Sequence, residues 1–253
     1  MATSSMRRHA SRQQGVVASS NAEGPAPIVY QGAFGPFSIG PDDETEVLLY
    51  RVGINVAAAA AVSTSLVAFL PEGNGLRDAL IPSLDAIAIA GTVGLGLALY
   101  QIHIYLAPIK RTLQALWLAG ALGVVGIVVM QDPPAALFVA EHPAAVWLVG
   151  PMFAALTGVA FKEGMCYGKA EAAALFGATP LLLLGHLTGL VPADGERVLL
   201  ALFCTVFAVF AGRKWTQAVK DDVGDKSVFA FLAMAPEEQA VAQAAREARE
   251  RGD

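Results

Sequence analysis

The sequence predicts an all-α polytopic membrane protein with about six transmembrane helices and both termini on one, positively charged side. Three observations carry this. Of 253 residues, 55% are apolar and only 15% charged, against about 45–50% and about 25% in a soluble domain. The mean hydropathy is +0.53. The apolar residues gather into six runs long enough to cross a bilayer. The composition excludes a disordered chain, which needs low hydrophobicity and high net charge. Nucleic acid is not an expected partner, because the net charge is -5 and no dense Lys/Arg block occurs. The partner that composition does imply is membrane lipid.

The spans follow in order. Crossing the hydrocarbon takes about 20 apolar residues, in closed helices because lipid offers no partner to a free amide or carbonyl. The runs cover residues 47–69, 79–105, 112–130, 144–161, 171–191 and 198–212. Before the first, Asp43 with Glu46 three residues later reads as a capping box. Pro108 stops the second, Asp132-Pro133-Pro134 closes the third, and Pro180 lies inside the fifth. The membrane domain so defined spans residues 43–220.

Charge sorts the connections. Arg51, Lys110, Arg111, Lys162, Lys169, Arg213, Lys214, Lys220 and Lys226 fall on one side, and only Arg77 and Arg197 on the other. That asymmetry makes the first side the one that stays untranslocated. Gly53, Ala57, Ala61 and Ser65 form a small-residue stripe on the first span, and Gly91, Gly94 and Gly96 a second surface, suited to close packing within one bundle.

Outside the lipid the pieces are short. Residues 1–26 hold Arg7, Arg8 and Arg12 with several serines and no acid before Glu23, the composition of an organellar transit peptide or of a disordered bacterial tail. In residues 27–42, Ile28-Val29-Tyr30-Gln31 and Phe37-Ser38-Ile39 flank a Gly-Ala-Phe-Gly-Pro turn, which reads as a hairpin. Residues 221–253 form a tail ending in a helix opened by Pro236-Glu237-Glu238. Two cysteines, Cys166 and Cys204, imply no disulfide framework.

Five ordered blocks carry a resemblance. They are Val29-Tyr30-Gln31-Gly32 with Phe34 to Phe37, Glu46-Val47 and Tyr50-Arg51; Ile102 to Pro108; Phe153 to Gly158 with Phe161-Lys162-Glu163 and Cys166; Leu181 to Leu184 with Gly185-His186-Leu187; and Gly224 to Phe229. Over about residues 27–232 the chain resembles an uncharacterised family of integral membrane proteins of cyanobacteria and plastids, a domain of unknown function. The resemblance implies a photosynthetic source, a chloroplast membrane (thylakoid or inner envelope) and a cleaved transit peptide. It implies no reaction and no cofactor.

Ionisable residues at membrane depth are functional candidates by default. Asp85 and His186 each lie about six residues from a span end opposite the positive side, about 9 Å deep, and can pair if their spans are neighbours. A second cluster gathers His103, Lys110, Lys162, Glu163, Cys166 and Arg213 at the positive side. Metal ligation through these residues lacks Glu-x-x-His or His-x-x-x-His spacing. No protease motif occurs either. A proton relay through Asp85, His186 and Glu163 is open. So are milder roles: His186 as a hydrogen-bonded core residue, and Lys162 with Glu163 as a pair snorkelling to headgroups.

These features lead to a protein without enzymatic activity, an assembly or interaction factor of a photosynthetic membrane. A membrane complex is its expected partner, docking at Gly224, Asp225, Lys226 and Phe229. The alternative is a small transporter built on Asp85 and His186. A membrane enzyme would need Glu163, His103 and Cys166 in one cavity.

Overall fold

The computed structural model describes residues 28–252, the side chain of Cys166 excepted. The transit-peptide reading of residues 1–26 lies outside the described part. The elements are strands β1 (Val29–Gly32) and β2 (Gly35–Ser38), then helices α1 (Pro41–Leu66), α2 (Gly75–Leu80), α3 (Leu84–Gln101), α4 (Ala107–Met130), α5 (Ala135–Glu141), α6 (Val146–Tyr167), α7 (Ala170–Thr188), α8 (Ala193–Arg213), α9 (Val219–Val223), α10 (Lys226–Leu232) and α11 (Pro236–Arg251). Six helical stretches are long and apolar enough to cross a membrane: Pro41–Leu66, Gly75–Gln101, Ala107–Met130, Pro143–Met165, Ala170–Thr188 and Ala193–Thr216. The protein is an all-α polytopic membrane protein.

The long helices form a ring in chain order. α1 packs on α3, α3 on α4, α4 on α6, α6 on α7, α7 on α8, and α8 closes back on α1. Its outer face is apolar. Leu118, Leu122, Val125 and Val129 of α4 are exposed at helical spacing, a stripe that only lipid satisfies. Inside, Ile54, Leu99, Leu156, Val159, Leu175, Phe207 and Phe210 form the buried core.

The small-residue stripe packs within the bundle. A Cβ on Gly53 would stand 2.5 Å from the Gly94 carbonyl, and one on Gly91 would stand 2.6 Å from Ala60 Cβ. The backbones of α1 and α3 touch where side chains are missing.

Several boundaries differ from the sequence reading, each for a local reason. The second span is not one helix over 79–105. A 3₁₀ turn, Ile81–Ser83, carrying Pro82, separates α2 from α3, and α3 ends at Gln101. Pro108 sits in the first turn of α4, where its missing amide costs nothing, so it starts a helix rather than only stopping one. His103 therefore lies in a loop. The fourth span runs on past Phe161 to Tyr167, which puts Lys162 and Glu163 on the helix. Between the third and fourth spans lies the unexpected α5. At the start of α1 the Gly40 amide donates to Asp43 Oδ2 at 2.7 Å. Asp43 thus caps from inside the first turn, and Glu46 is free to reach His103, its Oε2 3.0 Å from Nε2.

The hairpin docks on the other end of the chain. β1 and β2 pair antiparallel, Tyr30 facing Phe37. Its turn amides, Ala33 and Phe34, donate to Asp225 Oδ2 (2.6 Å) and Ser227 Oγ (3.0 Å). The Phe34 ring stacks on Phe231 with centroids 3.8 Å apart.

Candidate functional site

The Lys/Arg-rich end of the ring is where polar side chains converge. Glu163 of α6 is wholly buried. Its Oε2 lies 2.8 Å from Lys214 Nζ and 2.5 Å from Lys169 Nζ, and its Oε1 lies 3.4 Å from Lys162 Nζ. The Tyr50 hydroxyl of α1 donates to the same Oε1 at 3.3 Å. Lys214, also wholly buried, turns a second hydrogen to Asp222 Oδ1 of α9 at 2.7 Å. Asp222 Oδ2 accepts from Arg51 Nε at 2.8 Å. Arg51 Nη2 also donates to the carbonyls of Gln217 (3.0 Å) and Ala218 (3.2 Å). One network thereby ties α1, α6, α8 and α9.

Four cationic side chains face two carboxylates here. The excess is met by dipoles and ring faces. Lys162 Nζ donates to the Asp222 carbonyl at 3.2 Å, and Lys169 Nζ to Gln217 Oε1 at 2.8 Å. Lys214 lies 4.9 Å from the Tyr50 ring centroid and 5.2 Å from that of Phe210. Cations over aromatic faces are stabilised most when desolvated. Buried charge survives only when paired and hydrogen-bonded, and here every carboxylate oxygen of Glu163 and Asp222 has a cation.

The residues expected at the positive side are only partly brought together. Lys162 and Glu163 belong to the network, buried rather than snorkelling. Arg213 turns outward and pairs with Glu171 at 2.7 Å, while Glu171 Oε1 has no partner among the described residues. His103 stands apart between two hollows of about 340 and 380 Å³, one bordered by Glu46 and Lys110, the other by Lys162 and Phe176. Burial lowers the His103 ring below its ordinary value; Glu46 opposes this, and Lys162 and Lys110 add to it. The side chain of Cys166 is outside the described part.

Asp85 and His186 do not pair; both hold α5. Asp85 sits in the first turn of α3, and its Oδ1 accepts the Ala135 amide at 2.8 Å. His186 Nε2 lies 2.9 Å from the Val139 carbonyl, and Nδ1 lies 3.2 Å from Glu196 Oε2. A carbonyl and a carboxylate both accept, so these two bonds coexist when both ring nitrogens carry hydrogens. Asp85 is not the main buried charge of the membrane domain; Glu163 and Lys214 are.

The block at Gly224 to Phe229 turns inward. Asp225 holds the hairpin turn and also accepts from Ser227 N at 2.9 Å. Burial works against its charge, but hydrogen bonds from the Ser227 side chain and the Ala33 amide hold its carboxyl below the ordinary value. Lys226 Nζ binds Asp43 Oδ2 at 2.8 Å. Phe229 packs 4.8 Å from the Tyr105 ring. Gly224, at φ +81°, lies so close to the Tyr105 and Tyr167 hydroxyls that a Cβ would be 2.7 and 2.9 Å from them.

Sequence reasoning named Arg51, Lys169 and Lys214 as charges that set orientation and Tyr50-Arg51 within a block of resemblance, but as site residues it missed them, and it missed Asp222 and Gln217 altogether. The signal available was Arg51 lying inside the apolar run 47–69, where a charge calls for a partner. Among the described residues no cluster of His, Cys, Asp and Glu is arranged to hold a metal ion.

Comparison with known proteins places the sequence in a family. No curated protein and no solved structure matches the chain significantly. The model of a family described as "Uncharacterized integral membrane protein (DUF2301)" matches residues 97–231. The match takes in Lys162, Glu163, Lys169, Lys214 and Asp222, and spans just over half of the 253 residues. The chain belongs to this family of uncharacterised integral membrane proteins.

Proposed function

We propose that the protein is a non-enzymatic assembly or interaction factor of a photosynthetic membrane, with its positive end toward the stroma. One observation carries the reading: the buried charges of the network at that end are spent on one another. Glu163 and Asp222 are saturated by Arg51, Lys162, Lys169 and Lys214, which leaves a rigid base rather than a reactive constellation. On that base stand the hairpin, α10 and α11, which present exposed Ile28, Val29, Leu232 and Val241. Gly224, Asp225, Lys226 and Phe229 build this surface from beneath, and a membrane complex docks on top of it. Transport through Asp85 and His186 is the less supported alternative, since both side chains hold α5 and neither lines the central cavity.

The test is affinity purification of the full-length tagged chain from thylakoid and envelope membranes in a mild detergent. A membrane complex recovered with the native chain, and lost on Leu232→Asp/Val241→Asp, is the expected result. Recovery of the chain alone from both membranes contradicts the reading. A reporter fused to residues 1–40 tests the compartment; cytosolic fluorescence contradicts it.

A further inference from the structure

The ring is not filled evenly. Toward the positive end Leu99, Val159 and Phe210 close its interior. Toward the other end lies a cavity of about 260 Å³, reached by α1, α3, α6 and α8 and walled on one side by Ala135, Ala136 and Val139 of α5. Alanines make the room: Ala57, Ala60, Ala61 and Ala88 line it where larger side chains would fill it.

The cavity offers little to water, since nearly all of its wall is apolar. Its two hydroxyls are already committed: Thr64 Oγ1 donates to the Ala60 carbonyl and Thr92 Oγ1 to the Ala88 carbonyl, both at 2.8 Å. A buried water needs two to four polar partners. A hydrocarbon-lined cavity of about 150 Å³ stays dry and takes up benzene, and this one is larger. Left empty, its walls forfeit dispersion contacts. α5 is held over it by Asp85 and His186, two polar side chains on two different helices.

We propose that this cavity is a binding site for one hydrocarbon chain, an acyl or prenyl group, lying between α1, α3, α6 and α8 under α5. The ligand's polar end plays no part in recognition at this site, which selects by shape and by the absence of polar atoms. The same chemistry is carried by membrane lipids and by free prenyl compounds, and the experiment separates them.

The full-length chain is placed in nanodiscs in two arms. One contains a phosphatidylcholine with a diazirine in an acyl chain; the other contains unlabelled lipid and a diazirine-bearing farnesol. After irradiation, labelled residues are mapped by mass spectrometry. Ala57, Leu95 and Phe207 face away from lipid, so label there reports the cavity. The expected result is saturable labelling of these positions, displaced by excess unlabelled farnesol or hexadecane in the wild-type chain. It falls at least tenfold in Ala61→Leu and, independently, in Ala136→Leu, with label on lipid-facing Leu122 and Val129 unchanged. Label in the phospholipid arm assigns the site to an acyl chain, and label in the farnesol arm alone to a prenyl compound. No label at the three buried positions in either arm overturns the proposal, as does label that no competitor displaces.

Discussion

Lys214 Nζ lies 2.8 Å from Glu163 Oε2 with both side chains sealed from solvent. Removing one partner of such a pair strands a buried charge and costs about 3–5 kcal/mol. Glu163→Gln and Lys214→Met alone are therefore expected to lower thermal stability in detergent steeply. The double variant is expected to lose less than the sum, with a coupling of about 0.5–3 kcal/mol. Additive losses measured by thermal unfolding contradict the pairing.

Close packing of α1 on α3 yields a second expectation. Gly53→Val forces atoms into the Gly94 backbone and is expected to cost about 1–3 kcal/mol or more. Gly126→Ala is the control, because nothing lies within 4 Å of a Cβ placed there. Equal folded yields of the two variants by size exclusion argue against the helix contact.

The first two predictions draw on different amounts of sequence information. Six spans were readable because lipid demands long apolar runs, and the Gly53–Ala57–Ala61 stripe carries its spacing on one helix. The ends of those spans were not. Hydropathy stops at Phe161 because Lys162 and Glu163 follow, yet the helix continues to Tyr167. A charge that is neutralised by residues 50 or more positions away looks in the sequence like a charge in a loop. Asp222 illustrates this: it lies in a polar segment, and only the return of α9 against Arg51 makes it part of the core. Asp85 misleads in the opposite direction, since the break at Pro82 is silent in a hydropathy profile and turns a carboxylate read as about six residues inside a span into a first-turn one.

Helix α5 is expected to loosen when its holders are removed. Asp85→Ala takes away the acceptor of the Ala135 amide, the equivalent of a lost helix cap at about 0.5–2 kcal/mol. Hydrogen exchange over residues 135–141 is expected to accelerate in Asp85→Ala and in His186→Ala, and the ring helices to stay protected. Unchanged exchange in α5 in both variants removes this role.

The hairpin supplies a pH dependence. The Asp225 carboxyl sits below its ordinary value of 3.8 in the folded chain, so its ionised form favours docking. That contribution is fully present above about pH 4 and is lost as pH falls through the lowered value. Limited proteolysis of residues 28–38 is expected to be slow near neutral pH and to accelerate as pH is lowered below 3.8, and to be fast throughout in Asp225→Ala. Proteolysis that ignores the substitution at pH 7 contradicts the docking.

The central claim is that the charges at the positive end hold a docking base together and do no chemistry. The most direct measurement is complex recovery with the Glu163→Gln/Lys214→Met double variant, expressed in native membranes and confirmed folded by its elution volume. The account predicts that the folded double variant still recovers the membrane complex at a level near that of the native chain. A variant that folds, elutes normally and keeps residues 28–38 as resistant to proteolysis as the native chain but recovers none contradicts it, because the base is then intact and Glu163 and Lys214 act on something other than each other.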